Sequence, residues 1–185
     1  MPIKTLRASL LALGLGLALA AGAAMAQTQA RPAADLPGGA SALRKVHGDW
    51  TVACQMVTGD KSAAKKCVLS QEQVNPRKQR TLAINLVPKG DGSQGAIVLP
   101  FGVAVTKGVT LAVDGIALGA PRPFSTCLQL GCIVPLILDA KELAGLVEGK
   151  LLTVTVRTLS DRKLTLPVSL KGLKGGLART RDLLN

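Results

Sequence analysis

The chain has 185 residues, with 23 Lys or Arg against 11 Asp or Glu and a formal charge of +12. One domain is the default at that length, and 48% hydrophobic against 18% charged residues excludes a disordered chain. Only Trp50, Phe101 and Phe124 are aromatic, too few for a lectin-type or single-strand nucleic-acid platform that works by stacking.

Lys4 and Arg7 precede an apolar run from Leu10 to Ala21, and Ala24-Met25-Ala26 is a signal-peptidase site. Residues 1–26 are therefore expected to be a cleaved signal peptide. The apolar run is short for a membrane span, so no transmembrane segment is expected after cleavage. Gln27 in place of Cys as first mature residue argues against a lipid anchor. Residues 27–44, without a hydrophobic period, read as a flexible leader, and 45–185 as one domain. The expected location is periplasmic, with outer-membrane association or secretion as further options.

Trp50, Val52 and Cys54 then share a strand face, as do Leu82, Ile84 and Leu86, then Val109, Leu111 and Val113, then Leu152, Val154 and Val156. A last run aligns Leu164, Leu166, Val168 and Leu170; Pro167 within it points to an edge strand, because proline donates nothing to a ladder. Gly90-Asp91-Gly92, Asp114-Gly115 and Ser160-Asp161-Arg162 supply the turns. Asp139 can cap a helix with Glu142 three residues on and Gly149 at its end, while Gly175 and Gly176 weaken a second helix from about Leu173. The fold class is mainly β: an antiparallel β-sandwich, immunoglobulin-like in architecture, with one short internal helix and a C-terminal helix.

An even cysteine count in an oxidising compartment favours two disulfides. Four cysteines allow three pairings, and the local one, Cys54 with Cys67 and Cys127 with Cys132, is expected, since each spacing suits a hairpin or tight loop. A zinc site would want C-x2-C knuckles, and neither gap matches.

Several stretches together resemble the invasion-associated locus B family of exported bacterial proteins. They are His47-Gly48-Asp49-Trp50-Thr51-Val52-Ala53-Cys54, Leu99-Pro100-Phe101-Gly102-Val103-Ala104 followed by Gly108-Val109, Thr126-Cys127-Leu128-Gln129 leading to Gly131-Cys132, and Leu166-Pro167-Val168-Ser169-Leu170-Lys171-Gly172. The resemblance spans roughly residues 47–172 and implies an exported β-rich domain associated with host-cell invasion. It brings no catalytic residues with it.

The residues themselves offer no catalytic, cofactor or metal constellation. His47 is the only histidine and reads as a hydrogen-bonded edge residue, no G-x-S-x-G marks a nucleophile, and the acids are scattered. Trp50, Phe101 and Phe124 read as core packing. Positive charge is the remaining signal: Lys61, Lys65, Lys66, Arg77, Lys78 and Arg80 face one acid, Glu72, over twenty residues, and are placed in two loops at opposite ends of one strand. They are the candidate contacts to an anionic partner: lipopolysaccharide, acidic glycan or a membrane surface. Nucleic acid is not expected for an exported protein. The reading is a non-enzymatic exported binding or accessory protein of the bacterial envelope or extracellular space. The alternatives are a structural or stress-related periplasmic protein tethered to anionic envelope components, and a periplasmic enzyme with an unrecognised site.

Overall fold

Period-two alternation of apolar side chains governs the chain in the computed structural model, which describes residues 36–58 and 63–185. The expected signal peptide and the first part of the expected leader lie outside those residues. Seven strands form one antiparallel sheet. They are β1 (Ala42–His47), β2 (Trp50–Thr58), β3 (Ala63–Val74), β4 (Arg80–Lys89), β5 (Gly92–Leu99), β8 (Thr126–Leu128) and β9 (Gly131–Leu138), in spatial order β1-β2-β3-β4-β5-β9-β8. The second sheet contains β6 (Val109–Val113), β7 (Ile116–Ala117), β10 (Leu151–Arg157) and β11 (Lys163–Ser169), in spatial order β11-β10-β6-β7. Both sheets contribute to a single core, the sandwich architecture read from the sequence. Trp50, Val52, Leu69, Leu82, Ile84 and Ile97 come from the first sheet, and Val109, Leu111, Leu152, Val154 and Val168 from the second. Pro167 lies in β11, which pairs only with β10 and is therefore an edge strand, as the missing N–H requires.

The α-helix α1 (Ala140–Glu148) begins on a complete capping box: the Glu142 N–H donates to Asp139 Oδ1 at 2.7 Å, and the Glu142 carboxylate returns to the Asp139 N–H. Its Leu143 and Leu146 are buried. The second helix, α2 (Leu173–Leu184), forms despite its two glycines because Leu173, Leu177 and Leu183 are buried in the core. Each buried leucine gains about 1.5–3 kcal/mol, against about 1 kcal/mol lost per helical glycine. Gly176 is required by proximity: a Cβ there would stand 2.6 Å from Leu69 Cδ1, so its absence lets α2 settle on β3.

Two expectations are corrected. Ordered structure starts before residue 45, for Leu36 is buried and β1 pairs along its whole length with β2, from Ala42 opposite Gln55 to His47 opposite Trp50. Phe101 is 64% exposed and plugs no core. Alternation from Ile97 and Leu99 would have turned it inward, but β5 ends at Leu99 and the chain swings away through Gly102, whose φ is +91°. Phe124 packs against the core as expected, and Trp50 is fully buried.

Candidate functional site

Two of the motifs singled out above meet each other. The β1–β2 turn carries Gly48 and Asp49, Ser169 ends β11, and Leu170 to Gly172 connect it to α2. Ser169 Oγ donates to Asp49 Oδ2 at 2.6 Å, and the Asp49 N–H donates to the Lys171 carbonyl at 3.0 Å. The Ser169 carbonyl accepts from both Trp50 Nε1 (3.0 Å) and Gln71 Nε2 (2.9 Å). Gly48 and Gly172 both have positive φ, and a Cβ on either would overlap the opposite backbone. The junction places serine, aspartate and histidine near one another without linking them as a nucleophile and base. The serine proton goes to the carboxylate, and His47 Nε2 is buried with no hydrogen-bond partner. His47 thus stands at the edge strand's end as expected, but is not hydrogen-bonded through Nε2. What the geometry does here is clamp the first hairpin to the last helix.

All four cysteines are joined in the local pairing. Cys54 and Cys67 are directly opposite in the β2–β3 register with Cα atoms 4.0 Å apart; Cys127 and Cys132 are opposite in β8–β9 at 3.9 Å. The first bridge lies in the core, while the second ties the exposed edge strand β8 to its neighbour.

Two clefts flank the smaller sheet. One, of about 590 Å³, lies between α1 and the β6–β7 hairpin and is lined by Asp114, Asp139, Glu142 and Glu148 with Lys141. Its carboxylates are largely committed to the fold: Asp114 accepts from the Lys150 and Leu151 N–H groups, Asp139 caps α1, and Glu142 pairs with Arg122. The other, of about 710 Å³, crosses the outer face of the smaller sheet, where Thr110 and Thr155 sit opposite each other and Lys107, Arg157 and Lys163 stand near one end.

The candidate basic residues separate. Lys61 lies outside the described residues. Lys65 and Lys66 are not in a loop, as expected, but inside β3, because ladder pairing with Met56 and Gln55 continues past the Cys54–Cys67 bridge. Arg77 and Lys78 occupy the β3–β4 turn and Arg80 opens β4. Lys66 and Arg77 are separated by most of a strand, roughly 25 Å or more at ~3.3 Å per residue, so the six form no single patch.

The turn end gathers other cations instead. Asn75 builds the β3–β4 turn, its Oδ1 accepting from the Arg77 and Gln79 N–H groups at 2.9 and 3.0 Å, which presents Arg77 and Lys78 to solvent. The β10–β11 turn is built similarly: Thr158 Oγ1 accepts from the Arg162 N–H, and Leu159 N–H bonds to the Gly102 carbonyl. This end therefore carries Arg77, Lys78, Arg80, Lys107, Arg157, Arg162 and Lys163, against Glu72 and Asp161, each paired with an arginine, and Asp49 in the β1–β2 turn. At the opposite end, Lys65, Lys66, Lys89, Lys141, Lys150 and Arg122 stand among Asp91, Asp114, Asp139, Glu142 and Glu148, so positive charge there is largely offset. The cations of the β10–β11 turn were missed in the sequence because Arg162 and Lys163 stand far from Arg77 along the chain.

A family model described as "Invasion associated locus B (IalB) protein" matches residues 50–181. An Invasion protein B homolog of Brucella abortus (strain 2308) is 39% identical over 154 residues, covering 82% of this chain and 86% of that protein. Invasion protein B of Bartonella bacilliformis is 30% identical over 154 residues, covering 81% of each. Among solved structures, the crystal structure of invasion associated protein b from Bartonella henselae superposes with a TM-score of 0.68 at 30% identity, covering 76% of this chain and 96% of that one.

Proposed function

The chain belongs to the invasion associated locus B family, and from that membership we propose that it is a non-enzymatic binding or accessory protein, exported after cleavage near Ala26, that engages an anionic component of the bacterial envelope or of a host surface. The observation that carries this reading is the excess of positive charge at one end of the sandwich, larger than at the opposite end, where acids offset most of it. A potential of that shape steers the molecule end-on toward anionic material and weakens as salt screens it. Export is supported by two structural disulfides, which persist in oxidising compartments. Among the described residues no helix is long and apolar enough to cross a membrane.

The test is binding of the mature protein, residues 27–185, to an acidic polysaccharide and to vesicles containing anionic lipid, at low and moderate salt. Arg77→Gln, Lys78→Gln and Arg80→Gln together should weaken binding about tenfold or more at low salt and flatten its salt dependence, while circular dichroism shows the fold kept. Equal binding by variant and parent at low salt rejects the reading. Salt-sensitive retention with no ligand-specific binding would favour the second reading, an electrostatically tethered structural protein.

A further inference from the structure

Three large apolar side chains stand in water at the same end of the molecule as the unmatched cations. Phe101 follows β5 and is 64% exposed, Leu130 lies in the β8–β9 turn at 73%, and Leu159 lies in the β10–β11 turn at 78%. Each alone would be ordinary on a protein surface. They are not scattered, however. The Leu159 N–H donates to the Gly102 carbonyl at 3.0 Å, which seats Leu159 beside Phe101. Arg80 Nη2 donates to the Leu130 carbonyl at 2.6 Å, and Leu99 is paired with Cys132, which sets the Leu130 turn beside the end of β5. Three connections far apart in sequence thus present one apolar side chain each, with Arg80 on the Leu130 carbonyl and Arg77 and Lys78 in the β3–β4 turn at the same end.

We infer that this end docks on the surface of an anionic lipid bilayer, with Phe101, Leu130 and Leu159 entering the interfacial region and the cations resting on headgroups. The inference rests on the anionic-partner reading above and specifies its partner. Exposed apolar side chains rimmed by polar groups mark a protein or membrane contact, and the shape and charge here favour the membrane. The tips belong to connections between strands, and none of the three lines either cleft, although the outer-face cleft reaches Asp161 of the β10–β11 turn. A soluble acidic glycan would satisfy the cations but leave three apolar groups in water. A fluid apolar phase beneath an anionic layer satisfies both, since lysine and arginine side chains hold their charge at the headgroup level while apolar neighbours sink below it. Each cation and each apolar tip then contributes separately, one part salt-sensitive and the other not.

The experiment uses mature protein and vesicles of phosphatidylcholine containing phosphatidylglycerol, read by cosedimentation at low and moderate salt. Phe101→Ser with Leu159→Ser should lower partitioning by roughly tenfold or more and abolish the fraction that survives moderate salt. Ile116→Ser, which removes an equally exposed apolar group from the opposite end, should change nothing. Phe101→Trp places a second indole at the tip while Trp50 stays buried. Its emission should shift to the blue with vesicles and be quenched by lipid brominated on its acyl chains. Circular dichroism and melting of each variant confirm that the fold is kept.

If the double serine variant binds as the parent does and the new indole neither shifts nor is quenched, while the Arg77, Lys78, Arg80 variant loses binding, bilayer docking is overturned and the anionic-partner reading stands. Binding to soluble acidic polysaccharide without binding to vesicles likewise overturns docking and leaves the anionic-partner reading in place. Capture that depends on a protease-sensitive component and not on lipid overturns docking in favour of a protein contact. If neither anionic probe is bound, both readings fall.

Discussion

Replacing Gly172 by alanine tests whether the junction between the first hairpin and the last helix holds the domain together. Gly172 has φ of +91°, a conformation that costs an L-residue about 1–2 kcal/mol. Its Cβ would also overlap the His47 carbonyl oxygen, so one of two backbone turns must move. That movement endangers the Asp49 N–H bond to the Lys171 carbonyl, worth about 1 kcal/mol. Together the terms predict a loss of about 2–4 kcal/mol, which for a domain of this size lowers Tm by roughly 5–15 °C. Urea denaturation of the mature protein, with the slope compared between variants, measures it. Gly90→Ala separates strain from overlap, because Gly90 also has positive φ, at +54°, but a Cβ there meets nothing within 4 Å. It should cost no more than the strain. If Gly172→Ala costs no more than Gly90→Ala, the close approach of the two turns contributes nothing and the clamp is not a stabilising feature.

Gly145→Ala should stabilise the protein by about 0.5–1 kcal/mol, since Gly145 lies inside α1 and an added Cβ meets nothing within 4 Å; a lower Tm would contradict this. Removing the Cys54–Cys67 bridge opens a loop of sequence separation 13, and removing Cys127–Cys132 one of 5, so chain entropy gives losses of about 3 and about 2 kcal/mol. Paired alanine variants under urea should rank in that order, and the reverse order would refute loop entropy as the main term.

How far the sequence could be read follows from whether a signal was local. The α1 capping box needs only Asp139 and Glu142, the β10 alternation needs only seven neighbours, and the edge position of β11 follows from one proline. The local disulfide pairing was legible because each pair closes a hairpin. By contrast, β1 shows no alternation that would betray it, since most of its side chains are exposed and it exists by pairing with β2. Phe101 obeyed the alternation and still came out exposed, because the end of β5 is decided by where the chain must cross to the second sheet. The apolar tips lay beyond reach for the same reason: Phe101, Leu130 and Leu159 are neighbours only through hydrogen bonds that the assembled fold creates.

The stretches that mark the family are put to two different uses: those carrying Asp49, Trp50 and Ser169 are spent inside the fold, whereas the one carrying Phe101 turns that ring outward. Asp49, Trp50 and Ser169, three polar residues of the two meeting motifs, direct their hydrogen bonds at one another, and a Cβ on either glycine beside them would overlap the opposite backbone. A residue satisfied internally has little left to offer a ligand. The meeting stretches therefore build the framework of this chain, a hairpin clamped to a helix. The turns are where side chains stay exposed: Arg77 and Lys78 over an asparagine-built turn, Leu159 and Arg162 over a threonine-built one. In both turns a short polar side chain, Asn75 or Thr158, accepts the backbone N–H groups, and the residues between are free to face outward. A rigid clamp at the junction and outward-facing charge and apolar groups at the turns are complementary requirements. Presenting one end of a domain to a surface is productive only if that end keeps its shape on arrival.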